Sequence, residues 1–160
     1  MRGSVWLAAV GLAFGLFAGG CNDPTKGQTI FQAQLMGANE VPARSSSGSG
    51  AAGFTLDGNT VHFSVEVEGM NDIVACHIHV APAGVSGPVR VPLCSASTPG
   101  VASGGAVNGV LVQGTFTASD VIAISFDDLL NAMRNGNAYV NVHTKVYPAG
   151  EIRGQVAMIR

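Results

Sequence analysis

The stretch FTLDGNTVHFSVEVE, residues 54–68, decides the fold class of this chain. Residues 61–68 alternate strictly between apolar and polar side chains, which is the period of a β-strand with one buried face. Asp57 and Gly58 separate this run from a shorter one at 54–56. An Asp-Gly pair between two such runs predicts a tight β-hairpin, because glycine accepts the positive φ that the turn requires. His62 is predicted to lie at the surface, and the residues expected to face the core are Val61, Phe63, Val65 and Val67.

The rest of the chain shows the same alternation of short strands and turns. Further strands are predicted at 30–36, 73–80, 89–93, 107–117, 139–144 and 151–159, with glycine- and serine-rich loops at 41–53 and 95–105. One helix is predicted at 127–135, because Ser125 precedes Asp128 by three residues as in a helix cap and Gly136 ends the apolar stripe. Strands at this spacing predict an all-β fold, an antiparallel β-sandwich of Greek-key type with one short inserted helix.

The N-terminus carries the pattern of an export signal. Residues 1–20 combine one arginine, small residues before Cys21, and an apolar run shorter than the ~20 residues of a membrane-spanning helix. Small residues leading into a cysteine resemble a bacterial lipoprotein signal, in which the cysteine is acylated and becomes the mature N-terminus. The main alternative is an ordinary secretory signal that leaves Cys21 as a free thiol, and a retained membrane helix is a second, weaker alternative. We therefore expect an exported cell-envelope protein, anchored to a membrane by lipid at Cys21, with a tether at 21–28 and one domain at 29–158.

Composition excludes two classes of protein. The chain has 8 basic and 10 acidic residues among 160, a formal charge of −2, so it lacks the basic footprint of a nucleic-acid-binding protein. Hydrophobic residues make up 47% and charged residues 11%, which is too apolar for a disordered chain. The chain therefore contains a folded domain for which we expect no nucleic-acid partner.

Two of the three cysteines lie within the predicted domain. Cys76 and Cys94 are an even pair in a chain expected to enter an oxidising compartment, which predicts a disulfide closing a loop of about eighteen residues. The alternative is a pair of buried free thiols.

Three histidines form the most unusual pattern in the sequence. His77 and His79 are two residues apart on a predicted strand and so share one face, about 7 Å apart. His143 lies in another strand-like run, on the same face as Tyr139 and Asn141. If the two strands are neighbours, three imidazoles converge in a way that suits copper or zinc, with Tyr139 and Asn141 orienting the rings. The alternative is a polar hydrogen-bonding network without a metal.

Four blocks of sequence carry a family resemblance. They are FQAQLMGANEVP at 31–42, HIH at 77–79 followed by AGVSGPV at 83–89, YVNVHT at 139–144, and PAGEIRGQ at 148–155. Together they resemble the CHRD domain, named from chordin and found in many bacterial exported proteins, over residues 29–156. The resemblance implies a β-rich extracellular domain and, for the bacterial members, no established enzymatic activity. The chain departs from the family at Cys76, where the family usually has alanine.

Charged residues of these blocks are predicted to have a structural role. Arg153 lies two residues from Glu151, and either can pair with Glu40 of the first block. We interpret Glu40, Glu151 and Arg153 as a partly buried network that ties sheet edges together, in preference to a ligand-recognition site.

These observations favour a non-enzymatic, lipid-anchored envelope protein that binds a ligand or a copper or zinc ion. No catalytic residue is predicted, because no serine or cysteine stands in a nucleophile motif. One alternative is a copper-dependent redox enzyme, since a His-x-His strand followed by a Val-x-His strand is loosely similar to copper–zinc superoxide dismutases. The other is a purely structural envelope module.

Overall fold

The computed structural model describes residues 27–102 and 104–160. The predicted signal peptide, the lipidation site at Cys21 and the tether up to residue 26 lie outside the described residues. The elements are β1 Thr29–Met36, β2 Ser49–Asp57, β3 Thr60–Asn71, β4 Ile73–Val80, β5 Val89–Ser95, α1 Pro99–Ala102, β6 Ala106–Phe116, α2 Phe126–Arg134, β7 Ala138–Thr144, β8 Ile152–Gln155 and β9 Ala157–Met158. Within these two ranges no helix has the length and apolar character needed to cross a bilayer.

The nine strands of the described ranges belong to one antiparallel sheet. Its order is β5-β4-β7-β8-β1-β2-β3-β6, and β9 pairs with β1. The sheet nearly closes into a barrel, since the Ile122 N–H, after β6, donates to the Arg90 carbonyl of β5 at 2.8 Å. The predicted all-β antiparallel fold with one short helix is confirmed. The apolar face of every long strand contributes to a single core.

The hairpin that decided the fold forms as predicted. β2 and β3 pair from Ser49↔Glu68 to Asp57↔Thr60, and Gly58 takes the positive φ of 57° that the turn requires. The apolar face of β3 packs into the core, where Val61 and Val65 are fully buried, whereas His62 is exposed. The alternation in residues 61–68 therefore specified the register of the strand as well as its existence.

The helix α2 also follows its sequence signals. The Ser125 hydroxyl accepts from the Asp128 N–H at 3.0 Å, which caps the first turn. Gly136, with φ 68°, follows the last turn. The buried stripe consists of Leu129, Leu130 and Met133.

Three boundaries differ from the predictions. The predicted loop at 41–53 ends early because β2 begins at Ser49, and a Cβ at Gly50 would lie only 2.5 Å from the Glu66 carbonyl of β3. Ser49 and Gly50 therefore join β2 through close backbone pairing with β3, without large apolar side chains. The predicted strand at 151–159 is divided at Val156, whose N–H donates to the Ala138 carbonyl at 2.8 Å. The predicted loop at 95–105 contains the single turn of α1.

The predicted disulfide is confirmed. Cys76 and Cys94 are bonded across the adjacent strands β4 and β5, with their Cα atoms 4.9 Å apart. Both are buried in the core, on the face of β4 opposite to His77 and His79.

Candidate metal centre

Three histidines meet on the outer face of the sheet. β4 and β7 are antiparallel neighbours in which His77 pairs with Asn141, His79 with Tyr139, and Ala75 with His143. This register places the three imidazoles on one face, and one ring nitrogen of each lies within 4.8 Å of the other two. The convergence of His77, His79 and His143 expected from the sequence is therefore present.

Backbone carbonyls set the orientation of two of the rings. His79 Nδ1 lies 2.9 Å from the Gly87 carbonyl oxygen and His143 Nδ1 lies 3.0 Å from that of Pro148. A carbonyl only accepts, so Nδ1 carries the proton in both rings. In the neutral rings Nε2 then presents a lone pair, which is the form and the atom that ligate a metal.

His77 joins this arrangement through His143. Its Nδ1 lies 3.1 Å from His143 Nε2. Because His143 Nε2 is an acceptor, His77 Nδ1 must donate in this pair. With the proton of His77 moved to its Nε2, the other neutral tautomer, both nitrogens of this pair would offer lone pairs. Two metal ligands about 2.05 Å from a tetrahedral ion are about 3.3 Å apart, close to the present separation.

The surroundings of all three rings favour the neutral imidazole. Burial, followed by the neighbouring His143 and His79, lowers the pKa of His77 to about 4. Burial likewise lowers the pKa of His79 and of His143, although the carbonyls of Gly87 and Pro148 act in the opposite direction. Neutral imidazole needs no deprotonation before it binds a cation, so little proton competition is expected near pH 7.

Tyr139 on β7 lies directly opposite His79 on β4 and holds its ring in place. Its ring stacks on the imidazole with centroids 4.8 Å apart and planes 7° apart. Its hydroxyl oxygen accepts from the Gly87 N–H at 3.1 Å. Tyr139 therefore fixes both the ring and the loop carbonyl that orients the ring.

A buried ion pair lies beside this stack. Arg153 on β8 and Glu40 are 2.9 Å apart, and each is about 4% exposed. The guanidinium carbon is 4.2 Å from the centroid of the Tyr139 ring. Arg153 also donates to the Val85 carbonyl at 3.3 Å and to the Ser86 hydroxyl at 3.4 Å. The pair thus links the first block of the chain to the β4–β5 loop that covers the histidines.

Glu151 contributes to a separate network. Its carboxylate accepts from the Ser46 hydroxyl at 2.7 Å and from the Thr144 hydroxyl at 2.6 Å. The predicted network had placed Glu151 with Glu40 and Arg153. Glu151 lies in the bend before β8 and not on the strand predicted at 151–159, and its carboxylate contacts Ser46 and Thr144.

Backbone groups of two loops complete the site and were not predicted from the sequence. The carbonyls of Gly87 and Pro148 orient two histidines, and Gly150 leaves room for polar side chains, since a Cβ there would lie 2.5 Å from Glu40 Oε1. The signal was present in the blocks at 83–89 and 148–155, whose glycines and prolines follow the histidine strands. Periodicity alone does not show which carbonyl a loop presents.

A family model for the CHRD domain matches residues 31–156. No curated protein and no solved structure matches the chain. The matched range contains all three histidines, the disulfide and the Glu40–Arg153 pair. The chain therefore belongs to the CHRD-domain family.

Proposed function

We propose that this CHRD domain is a non-enzymatic metal-binding module that holds one copper or zinc ion between His77, His79 and His143. One observation carries the proposal. The Nδ1 atoms of His79 and His143 are engaged by backbone carbonyls, which leaves their Nε2 lone pairs directed into the cluster. Histidine ligands of zinc and copper are oriented in this way in metalloproteins.

The alternative of a purely polar network explains less of the geometry. The hydrogen bond from His77 to His143 satisfies one lone pair, but His79 Nε2 is buried and has no hydrogen-bond partner. A buried acceptor without a donor is unfavourable, and a bound cation removes that cost. An ion would also satisfy all three rings at once with His77 in its other neutral tautomer, because one ring nitrogen of each lies within 4.8 Å of the other two.

Metal content tests the proposal directly. The purified protein is equilibrated with zinc or copper(II), desalted and analysed for metal. We expect about one ion per chain, and loss of that ion in the variant with His77, His79 and His143 all changed to alanine. His62→Ala is the matched control, since His62 is exposed and lies outside the cluster. Absence of bound metal from the wild type at micromolar free zinc and copper would refute the proposal.

We further propose that the module works at the cell envelope, anchored through lipid on Cys21. The N-terminal pattern supports export, and the buried Cys76–Cys94 disulfide suits an oxidising compartment. Cys21→Ser should move the protein from the membrane fraction to the soluble fraction after cell fractionation. Unchanged membrane association of that variant would contradict the lipid anchor.

A further inference from the structure

Unpaired acceptors collect beside the histidine cluster. Among the described residues, His79 Nε2, Asn141 Oδ1 and Glu40 Oε1 are buried atoms with no hydrogen-bond partner. All three accept, since the Nδ1 of His79 carries the proton. None can satisfy another, so the group calls for a donor or a cation.

Asn141 lies next to the histidines in the strand register. It pairs with His77 on β4 and with Arg153 on β8, and it is two residues from His143 on the same face of β7. His79 is its diagonal neighbour. The residue is 1% exposed, so its side chain is fully covered on the face of the sheet that carries the rings.

The environment of Asn141 determines which end of its amide faces the histidines. A Cβ at Gly150 would lie 2.6 Å from Asn141 Nδ2 and 2.5 Å from Glu40 Oε1, so the amide nitrogen and the carboxylate border the same point. A carboxylate accepts hydrogen bonds, which favours the amide nitrogen on this side. The amide oxygen is then on the other side of the side chain, toward the histidines of the neighbouring strand β4.

We infer that Asn141 Oδ1 is the fourth ligand of the ion, so that protein atoms alone complete the site. The inference rests on the proposed function and deepens it. Three imidazole nitrogens and one amide oxygen suit zinc or copper(II) better than copper(I), which prefers sulfur ligands. Four protein ligands are typical of sites that retain an ion, whereas catalytic sites keep one position open for water or substrate. The domain thus holds its ion without presenting it to a substrate.

Cobalt(II) is the probe for this inference, because it replaces zinc in tetrahedral sites and reports its coordination in the visible spectrum. The full chain is loaded with cobalt(II) and titrated with azide, a small anion that occupies open coordination positions. The wild-type spectrum should not respond to azide. Asn141→Ala should respond and should bind zinc about 10-fold or more weakly. Asn141→Asp, which keeps an oxygen at this position, should remain unresponsive, as should the exposed control Asn137→Ala.

The outcomes separate the inference from the proposed function. A wild-type protein that binds cobalt(II) and also responds to azide overturns the fourth ligand and leaves the three-histidine site intact. Equal zinc affinities of the wild type and a folded Asn141→Ala variant, checked by circular dichroism, overturn it as well. If Asn141→Ala does not fold, the azide titration of the wild type decides. A wild type that takes up neither cobalt nor zinc overturns both proposals.

Discussion

The buried ion pair between Glu40 and Arg153 gives the sharpest stability prediction. Glu40→Gln keeps the shape of the side chain and removes its charge, which leaves a guanidinium without a counter-ion where the two side chains are 2% and 5% exposed. Removing one partner of a buried pair typically costs about 3–5 kcal/mol. Arg153 keeps its contacts with the Val85 carbonyl and the Tyr139 ring, and the new amide oxygen still accepts. We therefore expect a loss at the lower end, about 3 kcal/mol.

Equilibrium urea unfolding, followed by far-UV circular dichroism, measures this loss. Glu66→Gln is the control, because Glu66 is an exposed glutamate on β3 and its substitution should change the free energy of unfolding by less than about 0.5 kcal/mol. Combining Glu40→Gln with Arg153→Met removes both charges and should recover part of the loss. A decrease below about 1 kcal/mol for Glu40→Gln alone would show that the pair is solvated, and the reasoning would fail.

Three further predictions concern pH, the disulfide and strand packing. The pKa of His77 is about 4 in the folded metal-free protein against 6.5 ordinarily, so between these pH values the unfolded chain binds more protons than the folded one. The free energy of unfolding should therefore fall as the pH falls from 6.5 toward 4. Urea unfolding of a His77→Gln variant checks this, and an equally steep pH profile for that variant would contradict it. Changing Cys76 and Cys94 together to alanine opens a loop with a sequence separation of 18. The free energy of unfolding, again measured in urea, should fall by about 3 kcal/mol, and a decrease below about 1 kcal/mol would count against the loop-entropy argument. Gly154→Ala should destabilise the fold by more than about 2 kcal/mol, because its Cβ would collide with the Gln34 carbonyl of β1; wild-type stability of that variant would show that β8 can move away.

The sequence predicted the parts of the fold that depend on alternation and local caps. The hairpin at Gly58, the buried face of β3 and the helix that begins after Ser125 all follow from short-range patterns, and all three are present. The start of β2 could not be predicted in this way. Its first residues pair through the backbone and carry glycine and serine, so no periodic apolar signal marks them.

The sequence predicted which side chains form the candidate site, but not the backbone groups that orient them. His77, His79 and His143 could be assigned to one face of two strands, but only the pairing of β4 with β7 shows that the strands are neighbours. The carbonyls that orient the rings come from the loops at Gly87 and Pro148, whose conformation depends on tertiary contacts. Sequence periodicity contains no information on such groups.

The central claim is that one metal ion occupies the point at which the three imidazoles converge. Anomalous X-ray diffraction from crystals of the zinc-loaded protein, recorded on both sides of the zinc absorption edge, locates such an ion without reference to any assay. We expect a single strong anomalous peak about 2.0–2.1 Å from one ring nitrogen of each of His77, His79 and His143. Absence of a peak there, with His77 still donating to His143, would contradict it.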